Sequence, residues 1–369
     1  MVLQEAQHPE EAVVGERQRH GRGIPALPSK PKEEHLAFPR GTVDILRFRS
    51  RCLESNPLGD PAERPLAVYL PPGYAESTRR YPVLHFLAGY TGSGLSFVNW
   101  TAWQENLPDR LDRLIGAGRM PPAIAVFPDC FTLLGGSQYV NSVALGCYED
   151  YLCDEVVPEI DRRYRTLGPA GRGVLGKSSG GIGALWLAMR RPGLFAAAAS
   201  HSGDCAFELS LARAFPDAAI QIARRGGISE VLGQLRSGRA PEGAAIELMN
   251  VLCCSAAYSP QPAREPWGFA LPFDLATAAI VPQVFEHWLG FDPLRAAARH
   301  AGALSSLRVL YLDAGTQDEY ALQFGARQLS RELFRLGIAH RHEEFEGGHR
   351  ATAHRYDVSV PLLATALSA

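Results

Sequence analysis

The sequence predicts an α/β fold, with a mostly parallel sheet of about eight strands and helices on both faces. Short apolar segments alternate with longer segments whose apolar residues recur at helical spacing. Strands that are apolar on both sides are typical of parallel sheets, because helices then cover each face. The predicted strands are 43–49, 66–70, 83–87, 123–127, 173–175, 196–200, 308–312 and 340–345. The predicted helices are 103–116, 148–164, 181–191 and 321–336.

The chain divides into a core and two further regions. Residues 1–37 are rich in Pro, Glu, Arg and His with little apolar periodicity, which predicts a flexible extension. Residues 38–203 and 304–369 carry the strands and form the two parts of the core. Residues 204–303 are too many for a simple crossover and are interpreted as a cap or lid insert.

Aromatic side chains are frequent in this insert. They form a small core of the insert itself or, for a few of them, line an acyl or aryl pocket, and both interpretations can hold for different residues. The candidates for substrate contact are Trp267, Phe269 and Trp288.

Composition excludes several classes of function. The chain has 369 residues, 46% of them hydrophobic, and a net charge of −2, so nothing favours nucleic acid or an anionic membrane as a partner. Seven cysteines without a Cys-x-x-Cys pair, and no His/Asp/Glu cluster at ligand spacing, argue against a metal site. No secretion signal and no apolar run of ~18 residues are present, which predicts a cytoplasmic enzyme without a membrane span. Oligomeric state is not indicated.

One segment satisfies two incompatible motifs. Residues 171–178 fit the phosphate-binding pattern G-x-x-x-x-G-K-[ST], whereas residues 176–180 fit the nucleophile-elbow pattern G-x-S-x-G. The context favours the elbow, because Val174 and Leu175 look like the end of a buried strand that runs into the second motif. The segment therefore predicts a strand, a sharp turn at Ser178 and then a helix.

The glycines of this motif have a steric reason under the elbow interpretation. A serine in a strained turn requires small residues two positions before and two positions after it, and Gly176 and Gly180 occupy those positions. Ser178 is then the candidate nucleophile.

A serine nucleophile needs a base and a group that orients the base. In sheets of this type the chain order is Ser, acid, His. Asp318 follows the strand at 308–312, and His349 lies in a glycine-rich loop after the last strand. These residues are the predicted acid and base.

Each assignment has alternatives. Asp313 is expected at a strand end, where it could cap or brace the loop, and Glu319 is a weaker candidate for the acid. His354 is expected on the following helix, whereas His340 and His342 look like structural residues on a strand.

The developing oxyanion needs preorganised N–H donors. The residue after the nucleophile, Ser179, supplies one backbone donor, and Tyr90 in the loop after the third strand is the candidate for the other. The alternative is that residues 87–94 form a glycine-rich turn without a catalytic part.

With these residues identified, the chain resembles the putative-esterase family of α/β-hydrolases, which includes S-formylglutathione hydrolases, enterochelin and feruloyl esterases, and mycolyltransferases. The resemblance covers roughly residues 41–356. It depends on the elbow together with segments 68–74 (VYLPPGY), 81–90 (YPVLHFLAGY), 136–142 (GSQYVNS), 315–318 (GTQD) and 347–349 (GGH).

The resemblance implies an α/β-hydrolase fold and hydrolysis of a small carboxylic ester or thioester through an acyl-enzyme, with no cofactor. Many members have His-Gly where this chain has Ala88-Gly89, and His and Met where it has Lys177 and Ser179. Lys177 could bind an anionic group or pair with a nearby acid. The alternatives are an acyltransferase with the same triad, a P-loop nucleotide hydrolase, and a binding module without activity.

Overall fold

Ten strands are present in residues 38–239, 242–264 and 267–369, which the computed structural model describes. They are β1 Thr42–Arg49, β2 Glu63–Leu70, β3 Val83–Leu87, β4 Ile124–Pro128, β5 Asn141–Ser142, β6 Gly146–Cys147, β7 Arg172–Lys177, β8 Ala197–His201, β9 Val309–Gly315 and β10 Arg341–Phe345. Eight of them form one sheet in the order β1-β2-β4-β3-β7-β8-β9-β10, and β5 pairs with β6.

The sheet is antiparallel only at one edge. β2 runs antiparallel to β1 and to β4, and every other neighbouring pair is parallel. All eight predicted strands are therefore confirmed, as is the mostly parallel sheet. The carboxyl ends of β3, β7, β8, β9 and β10 share one edge, which is where ligands bind in sheets of this type.

Thirteen α-helices lie in the described part of the chain. They are α1 Leu107–Gly116, α2 Tyr148–Asp150, α3 Val157–Arg163, α4 Ser179–Arg190, α5 Phe207–Ser210, α6 Phe215–Arg224, α7 Ile228–Arg236, α8 Ala244–Tyr258, α9 Pro282–Leu289, α10 Pro293–Ala296, α11 Ala301–Ser305, α12 Leu322–Arg335 and α13 Tyr356–Ser368. A π-helical stretch, Tyr151–Val156, joins α2 to α3, so the helix predicted at 148–164 is present with one irregular segment.

The helix predicted from residue 103 begins four residues later. The Asn106 side chain accepts a hydrogen bond from the Asp109 amide at 2.9 Å, and Pro108 lies in the first turn. A polar cap followed by proline is a strong start signal, and it sets the beginning of the helix after Trp103, at which the prediction began.

Both faces of the sheet are covered. The apolar residues of α1 and α13 pack on one face, and those of α2 to α4 and α12 pack on the other. α13 was not among the predicted helices. No helix within the described residues is both long and apolar enough to cross a membrane.

The insert between β8 and β9 contains α5 to α11. Its aromatic rings pack on one another, with centroids 5.0 Å apart for Phe215 and Phe273 and 5.6 Å for Tyr258 and Trp288. The same cluster is continuous with the core under α4, and residues 38–369 form one compact unit. The action of 204–303 as a cap stays a prediction, and the extension predicted for 1–37 lies outside the described residues.

Candidate active site

Ser178 lies between the end of β7 and the start of α4. Its backbone has φ 57° and ψ −124°, a conformation that costs free energy for any residue with a Cβ. Its amide donates a hydrogen bond to the carbonyl of His201 at 2.9 Å, which ties the turn to the end of β8. The sharp turn predicted at Ser178 is therefore present.

The flanking glycines are required by close backbone contacts. A Cβ at Gly176 would lie 2.4 Å from the carbonyl oxygen of Gly180, and a Cβ at Gly180 would lie 2.1 Å from that of Leu87. The steric reason inferred from the motif is thus confirmed.

The same geometry contradicts the P-loop alternative. Residues 172–177 are not a loop around a phosphate but strand β7, paired with β3 and β8. The P-loop interpretation is wrong because extended pairing removes the free amides that would hold a phosphate.

The predicted acid and base are in contact. The Nδ1 atom of His349 lies 2.8 Å from Oδ2 of Asp318, and both side chains are buried. The Asp318 carboxylate also accepts a hydrogen bond from the Tyr320 amide at 3.0 Å. The Tyr320 ring packs edge-on against the imidazole, with centroids 4.9 Å apart. The imidazole is therefore oriented on two sides.

The two loops that carry these residues interlock. The backbone amide of Gln317 donates a hydrogen bond to the carbonyl of Gly347 at 2.9 Å, and the backbone amide of His349 donates to Oε2 of Glu319 at 2.6 Å. A Cβ at Gly348 would come within 2.7 Å of the Glu319 carboxylate. The hydrogen bond from His349 lowers the pKa of Glu319. Glu319 thus anchors the histidine loop, whereas Asp318 contacts the imidazole.

Asp313 belongs to a second, buried Ser-His-Asp arrangement. Its carboxylate lies 2.9 Å from Nδ1 of His201, and Nε2 of His201 lies 2.8 Å from Oγ of Ser359. Arg355 donates to the same carboxylate at 2.8 Å. Burial alone would raise the pKa of Asp313, but His201 and Arg355 lower it. All three members of this arrangement are buried and none lines a cavity beside Ser178. We interpret it as structural.

The other histidines lie apart from the Ser178 turn. Nε2 of His340 lies 2.8 Å from Oγ of Ser330, and burial lowers the pKa of His342 on β10. His354 is exposed on a 3-10 turn, Ala353–Arg355, that precedes α13, so it lies just before the helix on which it was expected.

Two backbone amides are free beside the turn. Neither the Tyr90 nor the Ser179 amide has an acceptor among the residues that the structure describes, and both residues line the same cavity as Ser178. The Tyr90 phenol donates to the carbonyl of Leu134 at 2.7 Å, which holds this loop in place. Free, fixed amides of this kind can receive an oxyanion.

The cavity has a volume of about 910 Å³. Ser178 and His349 lie on its wall, together with residues of the insert. Of the three aromatic candidates for substrate contact, Trp288 borders that wall, but its side chain is fully buried against Phe215 and Tyr258. Phe269 is fully buried in the core and Trp267 is half-buried beside it. Contact of Trp267, Phe269 and Trp288 with substrate stays a prediction.

Lys177 is half-buried between this cavity and a second one of about 450 Å³. Burial lowers its pKa, and Arg350 lowers it further, whereas Asp318 and Glu319 oppose the change. No carboxylate in residues 38–239, 242–264 and 267–369 lies within 4.0 Å of its ammonium group. Over the same ranges, no group of three potential metal ligands is found.

Comparison with known families adds a specific match. The family model described as Putative esterase matches residues 59–363. A curated relative, Esterase Rv1288 of Mycobacterium tuberculosis, is 32% identical over 42% of this chain and 31% of its own length. An endo-1,4-beta-xylanase/feruloyl esterase of Xylanibacter ruminicola is 30% identical over 35% of this chain and 18% of its own length. The chain thus spans less than a third of the curated relatives it matches.

Solved structures share the fold. A ferulic acid esterase matches with a TM-score of 0.55 and 18% identity, over 89% of this chain and 99% of its own. FphF, a fluorophosphonate-binding serine hydrolase of Staphylococcus aureus, matches with a TM-score of 0.56 and 15% identity, over 89% of this chain and 99% of its own. An S-formylglutathione hydrolase of Agrobacterium tumefaciens matches with a TM-score of 0.54 and 15% identity, over 89% of this chain and 96% of its own. The protein therefore has the α/β-hydrolase fold.

Proposed function

The chain belongs to the family described as Putative esterase, and from that premise we propose that it hydrolyses a carboxylic ester or thioester through an acyl-enzyme on Ser178. One observation carries the proposal: His349, which is hydrogen-bonded to Asp318, lies on the wall of the same cavity as the strained Ser178. Strained nucleophiles beside an oriented imidazole are typical of acyl transfer.

His349 is the general base. Its Nδ1 is bound to Asp318, so the proton of the neutral ring resides there and Nε2 is left with a free lone pair. Nε2 takes the proton from Ser178 as the serine oxygen attacks the carbonyl carbon. The Asp318 carboxylate stabilises the imidazolium that forms.

The amides of Ser179 and Tyr90 receive the oxyanion. Neither amide has another acceptor among the described residues, so neither has to break a bond before it can donate. Preorganised donors of this kind are worth about 3–4 kcal/mol each in acyl transfer. The protonated His349 then gives its proton to the leaving group and activates the water that hydrolyses the acyl-enzyme.

An acyltransferase would use the same intermediate and differ only in the acceptor. Nothing in the cavity favours an alcohol over water, so hydrolysis is the proposal, and product analysis with added alcohols separates the two. Apart from the substrate, a small-molecule ester, and the hydrolytic water, every step uses groups of the chain itself. A cytoplasmic location stays a prediction from the sequence.

The proposal is tested by labelling with a fluorophosphonate probe and locating the label by peptide mass spectrometry. We expect modification of Ser178 in the wild type and none in Ser178→Ala. Ser359→Ala is the matched control, because Ser359 also contacts a histidine paired with an aspartate but is fully buried. We expect Ser178 to be labelled in Ser359→Ala as it is in the wild type. A folded wild-type protein without label on Ser178 would refute the proposal.

A further inference from the structure

Asp204 is a carboxylate in the candidate active site that the triad does not use. It follows β8 and lies on the wall of the large cavity with Ser178 and His349. The backbone on both sides of it is fixed. A Cβ on Gly203 would lie 2.9 Å from the backbone carbon of Gly181 in α4, and the Ala206 amide donates to Asp292 at 3.1 Å.

The Asp204 carboxylate has no partner from another residue. In the part of the chain that the structure describes, no other residue donates a hydrogen bond to it and no cationic group lies within 4.0 Å. Burial raises its pKa to about 6, and the nearby charge of Asp318 adds to this, whereas His349 lowers it. A carboxylate in such surroundings costs free energy until an opposite charge pairs with it.

His349 is the neighbouring group whose positive charge would favour ionised Asp204, but it is bound to Asp318 and forms no ion pair with Asp204. The basic side chains on the cavity wall do not pair with Asp204 either. Arg213 is exposed and donates to the carbonyl of Glu319 at 2.9 Å, and Arg350 is exposed at the cavity mouth. Lys177 has its pKa lowered by burial. Asp204 belongs to no group of three potential metal ligands among the described residues, so a bound metal ion is not favoured either.

The cavity wall carries more acidic than basic side chains, which are Asp204, Asp217, Glu247 and Glu319 against Lys177, Arg213 and Arg350. Asp217 of α6 and Glu247 of α8 line it, are exposed, and form no ion pair with any described residue. The carboxylates on the wall outnumber the basic side chains, so the cavity favours a positively charged group over an anionic one.

We propose that Asp204 binds a cationic ammonium group on the acyl part of the substrate, so that the enzyme prefers esters of acids that carry a positive charge. This inference rests on the proposed function. The acyl part is assigned to the large cavity because Ser178, both oxyanion donors and Asp204 line it. The smaller cavity, reached past Gly89 and Lys177, is left for the alcohol.

The test compares two esters that differ only in charge. The p-nitrophenyl ester of 4-(trimethylammonio)butyric acid and that of 5,5-dimethylhexanoic acid have nearly the same shape, and the cation cannot lose its charge. We expect kcat/KM to favour the cationic ester by at least about tenfold in the wild type, which is about 1.4 kcal/mol. In Asp204→Asn the ratio should fall to about 1, whereas in Asp217→Asn, at the rim, most of it should remain.

Three results would overturn the inference. They are a wild-type ratio near 1, a ratio unchanged in Asp204→Asn whose Ser178 still takes the fluorophosphonate label, and a preference found only when the charge is on the alcohol. For that last result, a choline ester is compared with its 3,3-dimethylbutyl analogue. The wild-type ratio decides the question even if the variant does not fold. Failure of the proposed function looks different, since neither ester would then be hydrolysed and Ser178 would take no label.

Discussion

The amide of Ser178 donates to the backbone carbonyl of His201 at 2.9 Å, so the strained turn depends on a residue whose own side chain is fixed on both sides. The ring of His201 lies between Asp313 and Ser359, at 2.9 and 2.8 Å. Strained backbone persists only where its surroundings over-determine it. The buried network at the end of β8 therefore supports the nucleophile without touching the substrate.

His201→Ala should destabilise the protein and weaken the turn together. Loss of the ring removes one of the partners of the Asp313 carboxylate, which keeps Arg355 and Tyr311, and it removes the histidine partner of the Ser359 hydroxyl and opens a cavity in the core. We expect a loss of about 2–4 kcal/mol in the free energy of unfolding. Urea unfolding measures it. Ser359→Ala, which removes one bond only, should cost about 1 kcal/mol. Equal stability of His201→Ala and the wild type would show that the network does not support the turn.

Gly180→Ala should abolish labelling of Ser178. The new Cβ would lie 2.1 Å from the carbonyl oxygen of Leu87, a backbone atom that cannot move aside without displacing β3. Gly233→Ala is the control, because Gly233 lies in helix α7 with no atom within 4 Å of the added Cβ. There we expect a gain in stability of up to about 1 kcal/mol and unchanged labelling. Retained labelling in Gly180→Ala would contradict the steric argument.

Asp318→Asn should lower kcat by about 10³–10⁴ with little change in KM, because an asparagine no longer holds His349 in the tautomer that accepts a proton. The measurement is steady-state hydrolysis of a neutral p-nitrophenyl ester. Asp313→Asn separates the two aspartates, since Asp313 contacts His201 and Arg355 rather than His349. We expect Asp313→Asn to lower the free energy of unfolding and to leave kcat largely unchanged. The reverse pattern would make Asp313 the acid of the triad.

Much of this arrangement could be predicted from local patterns. The strands are short apolar runs, and Ser178, Asp318 and His349 each follow one, so the sheet brings them to one edge. α13 was missed because its residues are apolar with little amphipathic periodicity and Pro361 lies within it. His201 directly follows the predicted strand 196–200. That position, at the same edge of the sheet as Ser178, was the signal that could have identified it.

The rest depends on contacts distant in sequence. Ser359 reaches His201 across 158 positions, and no local pattern reports such a contact. The charge environment of Asp204 is likewise set by loops that only the fold brings together. An aromatic side chain has the same sequence signal in a core as in a binding site, so sequence alone does not separate the two roles for Trp267 and Phe269.

Asp204→Asn should raise the melting temperature at pH 8 but not at pH 4. The pKa of Asp204 is raised from 3.8 to about 6, mainly by burial. Between pH 3.8 and 6, Asp204 therefore keeps its proton in the folded state and loses it in the unfolded state. The contribution of this group to stability is complete below about pH 4 and is lost as the pH rises through 6. The loss is at most about 3 kcal/mol, and asparagine, which never ionises, avoids it.

Thermal unfolding of the wild type and of Asp204→Asn across pH 4–8 checks this. Groups that titrate alike in both proteins cancel in the difference between the two melting temperatures. The charged and titratable groups around Asp204 are His349, Asp318, Asp292, Cys254 and Tyr258. Burial keeps Cys254 and Tyr258 neutral over this range, since it raises the pKa of each well above its usual value. A constant difference between the two melting temperatures would mean that Asp204 is ionised without cost, and the reason to expect a cationic partner in the cavity would disappear.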